Sequence, residues 1–185
     1  GVVFIQNTQF QKKVKFGYDK EKVVTVEIQS ASEFEAMEQA SRSHPKILEV
    51  AVSDGQVGWS SYQSPVQVDT AEYTVQHMGV GKNYFKTMGF HLLEGRFPNL
   101  ENTTDQQESV VVNRAFLDKV NMTDALDKVI TIHNKKRHII AVVENHVDNL
   151  FRSKEPEPFV FYPAEATSLK MMQVRGEPSD LAHIK

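Results

Sequence analysis

Between Lys22 and Val52 the chain reads as a strand, a helix and a second strand, and this unit constrains the fold more than any other segment. Lys22-Val23-Val24-Thr25-Val26-Glu27-Ile28 is rich in β-branched residues, which suit a pleated surface. Ser32-Glu33-Phe34-Glu35 then matches a capping box, in which a serine oxygen and a glutamate satisfy the free amides of a helix start. Phe34, Met37 and Ala40 recur at helical spacing, predicting a helix to about Arg42. His44-Pro45 ends it, because the proline ring crowds the preceding residue out of the helical region. Ile47–Val52 is the second strand, and such a unit favours a parallel pair joined by a right-handed crossover.

The remaining chain alternates less regularly. Ser53–Thr70 is small and polar, and reads as a long loop or a pair of short strands. Trp59 and Tyr62 within it mark either a contact surface or aromatics folded back onto the domain. Tyr73–Val80 reads as a strand, followed by a short helix over Asn83–Met88 that Gly89 caps. Phe90–Pro98 closes that unit, and Asn99–Glu108 reads as a polar loop. Ser109–Asn113 is a buried strand running into a helix from Arg114 to about Val120. Val129–His133 and His138–Val143 form a hairpin with a basic tip, Asn134-Lys135-Lys136-Arg137. Phe159–Tyr162 and Met171–Arg175 are the last strands, and Pro178 opens a final helix. Strand–helix units bracketing a β-rich middle give an α+β (mixed α/β) fold.

Composition narrows the function classes. Lys+Arg 21 against Asp+Glu 24 leaves a net charge of −3, which argues against a nucleic-acid protein held by phosphate contacts. Without cysteine there is no disulfide framework, zinc ribbon or thiol nucleophile. Gly79-Val80-Gly81-Lys82 lacks the upstream glycine and the Ser/Thr of a phosphate loop, and neither a nucleophile elbow nor an HExxH pattern occurs. The strongest metal candidate is His133, His138, Glu144 and His146 across the hairpin and its exit, against the plainer reading of solvated histidines beside a turn. Glu144 and Asp148 have the spacing of an acid–base pair, or of caps and solvated charge. Asn102-Thr103-Thr104 and Asn121-Met122-Thr123 fit the glycosylation pattern, which matters only in a eukaryotic secretory setting. No apolar run is long enough to span a bilayer. Gly1-Val2-Val3-Phe4-Ile5 before a polar and basic stretch reads either as chain lying just beyond a hydrophobic segment or as an amphipathic first helix.

Several stretches, in order, resemble one family. Tyr84-Phe85-Lys86-Thr87-Met88-Gly89-Phe90-His91-Leu92-Leu93-Glu94-Gly95-Arg96-Phe97 is similar to a motif in the extracytoplasmic core domain of MacB/FtsX-type ABC-transporter permeases. Ser109–Phe116 resembles the VVVN-x-AF that follows it in the family, and Ile139–His146 with Leu150 and Pro156–Phe161 resembles the closing motif. Phe16–Val24 looks like the segment leading out of the first membrane helix, and His44-Pro45 with Val50–Ser53 fits too. Ala141 replaces the usual glycine, and His146 stands near a common aromatic position.

The resemblance implies a domain between two membrane helices of a bacterial inner-membrane permease, facing the periplasm. It implies a stalk over 1–21, a platform from 22–54 and 147–185, and an inserted lobe over 55–146. The implied role is non-catalytic: coupling cytoplasmic ATP hydrolysis to a periplasmic partner protein or substrate, for efflux, lipoprotein extraction or mechanical signalling. The implied partners are a cytoplasmic ATPase subunit or domain and a periplasmic protein or substrate, in a dimeric assembly. A substrate-capturing domain with Trp59 and Tyr62 at a groove rim is the alternative, and a regulator of a cell-wall hydrolase a further one. No catalytic, cofactor-binding or metal residue is carried over. Phe85, Leu92, Leu93 and Phe97 are expected in the core, Gly89 and Gly95 at positive φ, and Arg96 in a pair with a carboxylate.

Overall fold

The computed structural model describes residues 16–58, 62–147 and 155–181. Residues 1–15 of the stalk expected over 1–21, together with Trp59, Asp148, Leu150 and residues 182–185 of the expected last helix, lie outside the described residues. The described chain builds ten strands and five α-helices: β1 (Val23–Glu27), α1 (Ala31–Arg42), β2 (Ile47–Ser53), β3 (Tyr62–Val68), β4 (Ala71–Val80), α2 (Tyr84–Met88), β5 (Leu92–Gly95), α3 (Thr103–Glu108), β6 (Ser109–Asn113), α4 (Arg114–Val120), β7 (Val129–Ile132), β8 (Lys135–Val143), β9 (Phe159–Pro163), β10 (Met171–Gly176) and α5 (Pro178–Leu181). This is the α+β class expected from the sequence. Among the described residues no helix is long and apolar enough to cross a membrane.

The first strand–helix–strand unit forms, but its strands are not neighbours. β10 lies between β1 and β2, antiparallel to both. The crossover through α1 is long enough to skip a place in the sheet, and the returning chain fills it. The helix cap also sits earlier than expected. Ser30, not Ser32, is the N-cap, accepting from the Glu33 amide, while Glu33 reaches back to the Gln29 amide. Strand alternation gives this leaf two apolar faces. Val50, Val52, Met172 and Val174 join Ile28 on the side covered by Phe34 and Met37 of α1. Ala51 faces the opposite way, into a second cluster.

Six of the other strands close on themselves, while β5 pairs with β8 off this ring. β4 pairs with β3, β3 with β7, β7 with β8, β8 with β6, β6 with β9, and β9 with β4. All six contribute to one cluster (Val66, Val75, Val110, Val112, Ile130, Ile132, Ile139, Val142 and Val160), which is therefore the ring interior. Phe116 and Leu117 of α4 and Ala125 of the following loop join that cluster. Strand pairing crosses the expected boundary at 147: of the returning segment, β9 enters the ring and β10 the leaf.

Three polar segments are more ordered than their composition implies. Ser53–Thr70 contains β3, whose residues from Ser64 to Val68 alternate exposed with buried or half-buried positions. Asn99–Glu108 contains α3, capped by the Asn102 side chain on the Thr104 amide and anchored by Asp105, which pairs with Arg96 at 2.5 Å. The hairpin turn is His133-Asn134, both with positive φ of 51° and 60°, so Lys135, Lys136 and Arg137 belong to β8 and not to a basic tip. Gly89 and Gly95 have φ of 71° and 79°. Phe85 is buried and Phe97 stacks on it at 4.8 Å, but Leu93 is 42% exposed and lies outside the core.

Candidate functional site

Register assigns the two ends of the ring. The start of β6, the start of β8, the end of β9 and the end of β7 meet at one end; the end of β6, the end of β8 and the start of β9 meet at the other. At the latter, α4 places Phe116 and Leu117 against the ring interior. Asn113 locks that closure. Its side-chain oxygen accepts from the amides of Phe116 and Phe159, and its amide nitrogen donates to the Glu157 carbonyl.

The opposite end carries polar side chains on the same inward positions. On β4 the inward series Tyr73, Val75 continues to His77; on β9, Val160 continues to Tyr162; on β8, Ile139 steps back to Arg137. Ser64 Oγ lies 2.8 Å from His77 Nε2 and 3.4 Å from His133 Nε2. The two imidazoles meet edge to face at 4.6 Å, and Tyr162 lies 5.1 Å from His133 and 5.8 Å from His77. The Tyr162 hydroxyl donates to Asp54 Oδ2 at 3.2 Å, and the Arg137 guanidinium sits 5.7 Å over the Tyr162 ring. Tyr62, half exposed, stacks on His77 at 6.0 Å.

Burial sets the protonation states here. Desolvation, with His133 alongside, pushes His77 down to about 4, so its imidazole is neutral at physiological pH. Burial, then Arg137 and Lys135, lowers His133 as well. Burial raises Tyr162, and neighbouring Asp54 adds to it, so the phenol keeps its proton. Asp54 is itself raised by burial. Burial also lowers Arg137, although a guanidinium remains cationic at neutral pH.

The Ser64–His77 contact has the spacing of a nucleophile and its base, yet His77 Nδ1 is buried without a partner among the described residues. Among the described residues no carboxylate orients the ring, and an imidazole titrating near 4 is a weak base at neutral pH. The arrangement suits polar recognition: neutral donors and acceptors beside one fixed cation.

The metal candidates from the sequence are dispersed. His133 joins His77; His138 is exposed, with Nδ1 3.4 Å from the Asp127 carbonyl; Glu144 is exposed 3.4 Å from His91. His146 is buried among Phe90, Phe159 and Phe161 outside the ring, pushed down to about 3 by burial. Among the described residues no three His, Cys, Asp or Glu side chains group to hold a metal. The Glu144–Asp148 pair cannot be placed, since Asp148 lies outside the described residues. Sequence reasoning missed Ser64, His77, Tyr162 and Arg137 as a group. The available signal was alternation: extending the inward positions of β4, β8 and β9 by one step reaches His77, Arg137 and Tyr162.

Solved structures share this architecture. The periplasmic region of MacB from Actinobacillus actinomycetemcomitans superimposes with a TM-score of 0.62 at 14% identity, covering 91% of this chain and 81% of that one. The extracellular domain of the noncanonic ABC-type transporter YknZ from Gram-positive bacteria gives 0.59 at 13% identity, covering 87% and 88%. No curated protein sequence matches the chain. The family profile describing the MacB-like periplasmic core domain matches residues 2–182. With nearly the whole chain matched, this protein belongs to the MacB-like periplasmic core domain family.

Proposed function

We propose that this domain is a non-catalytic transmission element, coupling ATP hydrolysis by a cytoplasmic ATPase to a periplasmic partner protein or substrate. In this reading it stands on the periplasmic side of a bacterial inner membrane, in a dimeric permease. The platform is the leaf of β1, β10 and β2, and the ring is its inserted lobe.

One observation carries the reading: leaf and ring share a core. Ala51 of β2, Tyr84, Phe85 and Met88 of α2, and Met78, Val111, Ala141, Phe159 and Phe161 of the ring strands form a single apolar cluster. A cluster common to two parts makes their relative motion cost buried surface, so a force on one is felt by the other. The first described residues are fastened to both. The Val147 amide donates to the Phe16 carbonyl, the Asp19 amide to Met88, and Arg175 of β10 holds both Asp19 and the Thr87 carbonyl. Gly17 supports the crossing: at φ 77°, a side chain there would fall on the Asn145 carbonyl.

The test uses the full-length permease with its ATPase in a bilayer. Asp19→Ala is expected to leave basal ATP hydrolysis intact while transport, or the response to a periplasmic partner, drops severalfold. Unchanged transport, or an equal fall in both activities, contradicts the coupling. Calorimetry of the isolated chain with ATP is expected to show no binding heat; saturable binding would overturn the assignment.

A further inference from the structure

Beside the polar end of the ring lies a cleft of about 400 Å³, lined by Gln106 and Gln107 of α3, Lys135 and Arg137 of β8, and the turn from Pro163 to Glu165. Arg137 is only 6% exposed. One of its N–H groups donates to the Ser109 carbonyl at 3.3 Å, and Tyr162 covers one face at 5.7 Å. Its other N–H groups meet no acceptor, and no carboxylate lies within ion-pairing distance among the described residues. The contrast with the other arginines among the described residues is direct: Arg42, Arg96, Arg114 and Arg175 each face an aspartate or glutamate within 4 Å, although three of them are more than half exposed. Among the described residues, the most buried guanidinium is thus the one without an internal counter-ion.

A desolvated cation with no anion weakens a fold unless something offsets its charge. Here the offset has room to come from outside. Lys135 adds a second positive charge at the rim, and Gln106 and Gln107 bring amide groups that both donate and accept. The planar guanidinium fork matches a carboxylate through two parallel hydrogen bonds. Glu165 lines the same cleft and would repel a dianion more strongly than a monoanion. We infer that this cleft is a binding site for the carboxylate group of a small ligand or chain end, with Arg137 as its anchor and Gln106 and Gln107 as the polar wall. The site lies one residue pair from the junction of ring and leaf, since Tyr162 stacks under Arg137 and hydrogen-bonds to Asp54, which follows β2. It does not depend on the coupling proposed above.

The experiment titrates the 185-residue chain with sodium acetate, and separately with inorganic phosphate, at an ionic strength held constant with sodium chloride. The reporters are the NMR signals of the Arg137 Nε–H and of the Gln106 and Gln107 amides. Acetate is expected to shift them saturably, in the millimolar range of a single charge-assisted contact, and chloride is not. Arg137→Lys keeps the charge but removes the fork, and is expected to weaken acetate binding about fivefold or more. Gln107→Ala, on the surface of α3, keeps the fold and is expected to weaken it about twofold. Shifts that rise linearly and equally with acetate and chloride overturn the site. Phosphate saturating below acetate overturns the carboxylate assignment. Full affinity in Arg137→Lys overturns the anchoring role; if that variant does not fold, full affinity in Gln107→Ala overturns the polar wall and with it the site as drawn.

Discussion

The two ends of the ring are built from the same strands and differ in what fills them. At the α4 end, Phe116 and Leu117 are buried and Asn113 fastens helix to strand through three hydrogen bonds. At the other end the same inward positions carry His77, Tyr162 and Arg137, with buried polar atoms and an adjoining cleft. A closed ring has no free edges among these strands, so its stability does not require both ends to be apolar. Sealing one end firmly leaves the other free to keep groups that cost stability but can make contacts, and that end is also where the leaf joins.

The comparison breaks most readily at the sealed end. Phe116→Ala is expected to cost about 3–5 kcal/mol by denaturant unfolding, the range for a fully buried aromatic. Asn113→Ala, which leaves three backbone groups unpaired, is expected to cost about 2–4 kcal/mol in the same assay. A cost below about 1 kcal/mol for either would show that the α4 end is not the closure.

Histidines sharpen the contrast through pH. His77 titrates near 4 and His146 near 3, both held below the ordinary value of 6.5 by burial. Between 6.5 and these values the unfolded chain binds protons that the folded chain refuses, so stability rises with pH there and falls as the solution is acidified from about 6.5. His77→Gln is expected to flatten that slope from the polar end, and His146→Leu from outside the ring. The leucine also removes two buried ring nitrogens without partners among the described residues, and is expected to raise stability at neutral pH by about 1 kcal/mol. An unaltered slope in the double variant would show that neither ring is buried neutral. Tyr62→Ser, at a half-exposed site, is expected to change stability by less than about 0.5 kcal/mol.

What the sequence revealed follows the same division. β6 was legible because Val110, Val111 and Val112 are buried on both faces and leave no ambiguity. The family motif was legible because Phe85 and Phe97 stack locally and Gly89 and Gly95 take their turns locally. β3 was only one of two readings because its polar outward residues and Pro65 blur the alternation, and α3 was hidden by a sequence with no apolar face, since Asp105 and the Asn102 cap hold it in place. The histidine pair was illegible for a topological reason. His77 and His133 meet only because β3 pairs with both β4 and β7, and no local spacing records that. The split of the first strand pair by β10 is of the same kind.

The most direct test of the two-ended account is native-state hydrogen exchange of the isolated chain at neutral pH. The amides of Phe116 and Phe159, both bonded to Asn113, and that of Ile139 on the neighbouring β8 are expected to exchange only through global unfolding. Amides at the polar end, from Tyr62 to Ser64 and from Lys135 to Arg137, are expected to exchange through a smaller local opening that leaves the sealed end protected. Exchange of both ends in one step of equal free energy, or slower exchange at the polar end, would contradict it.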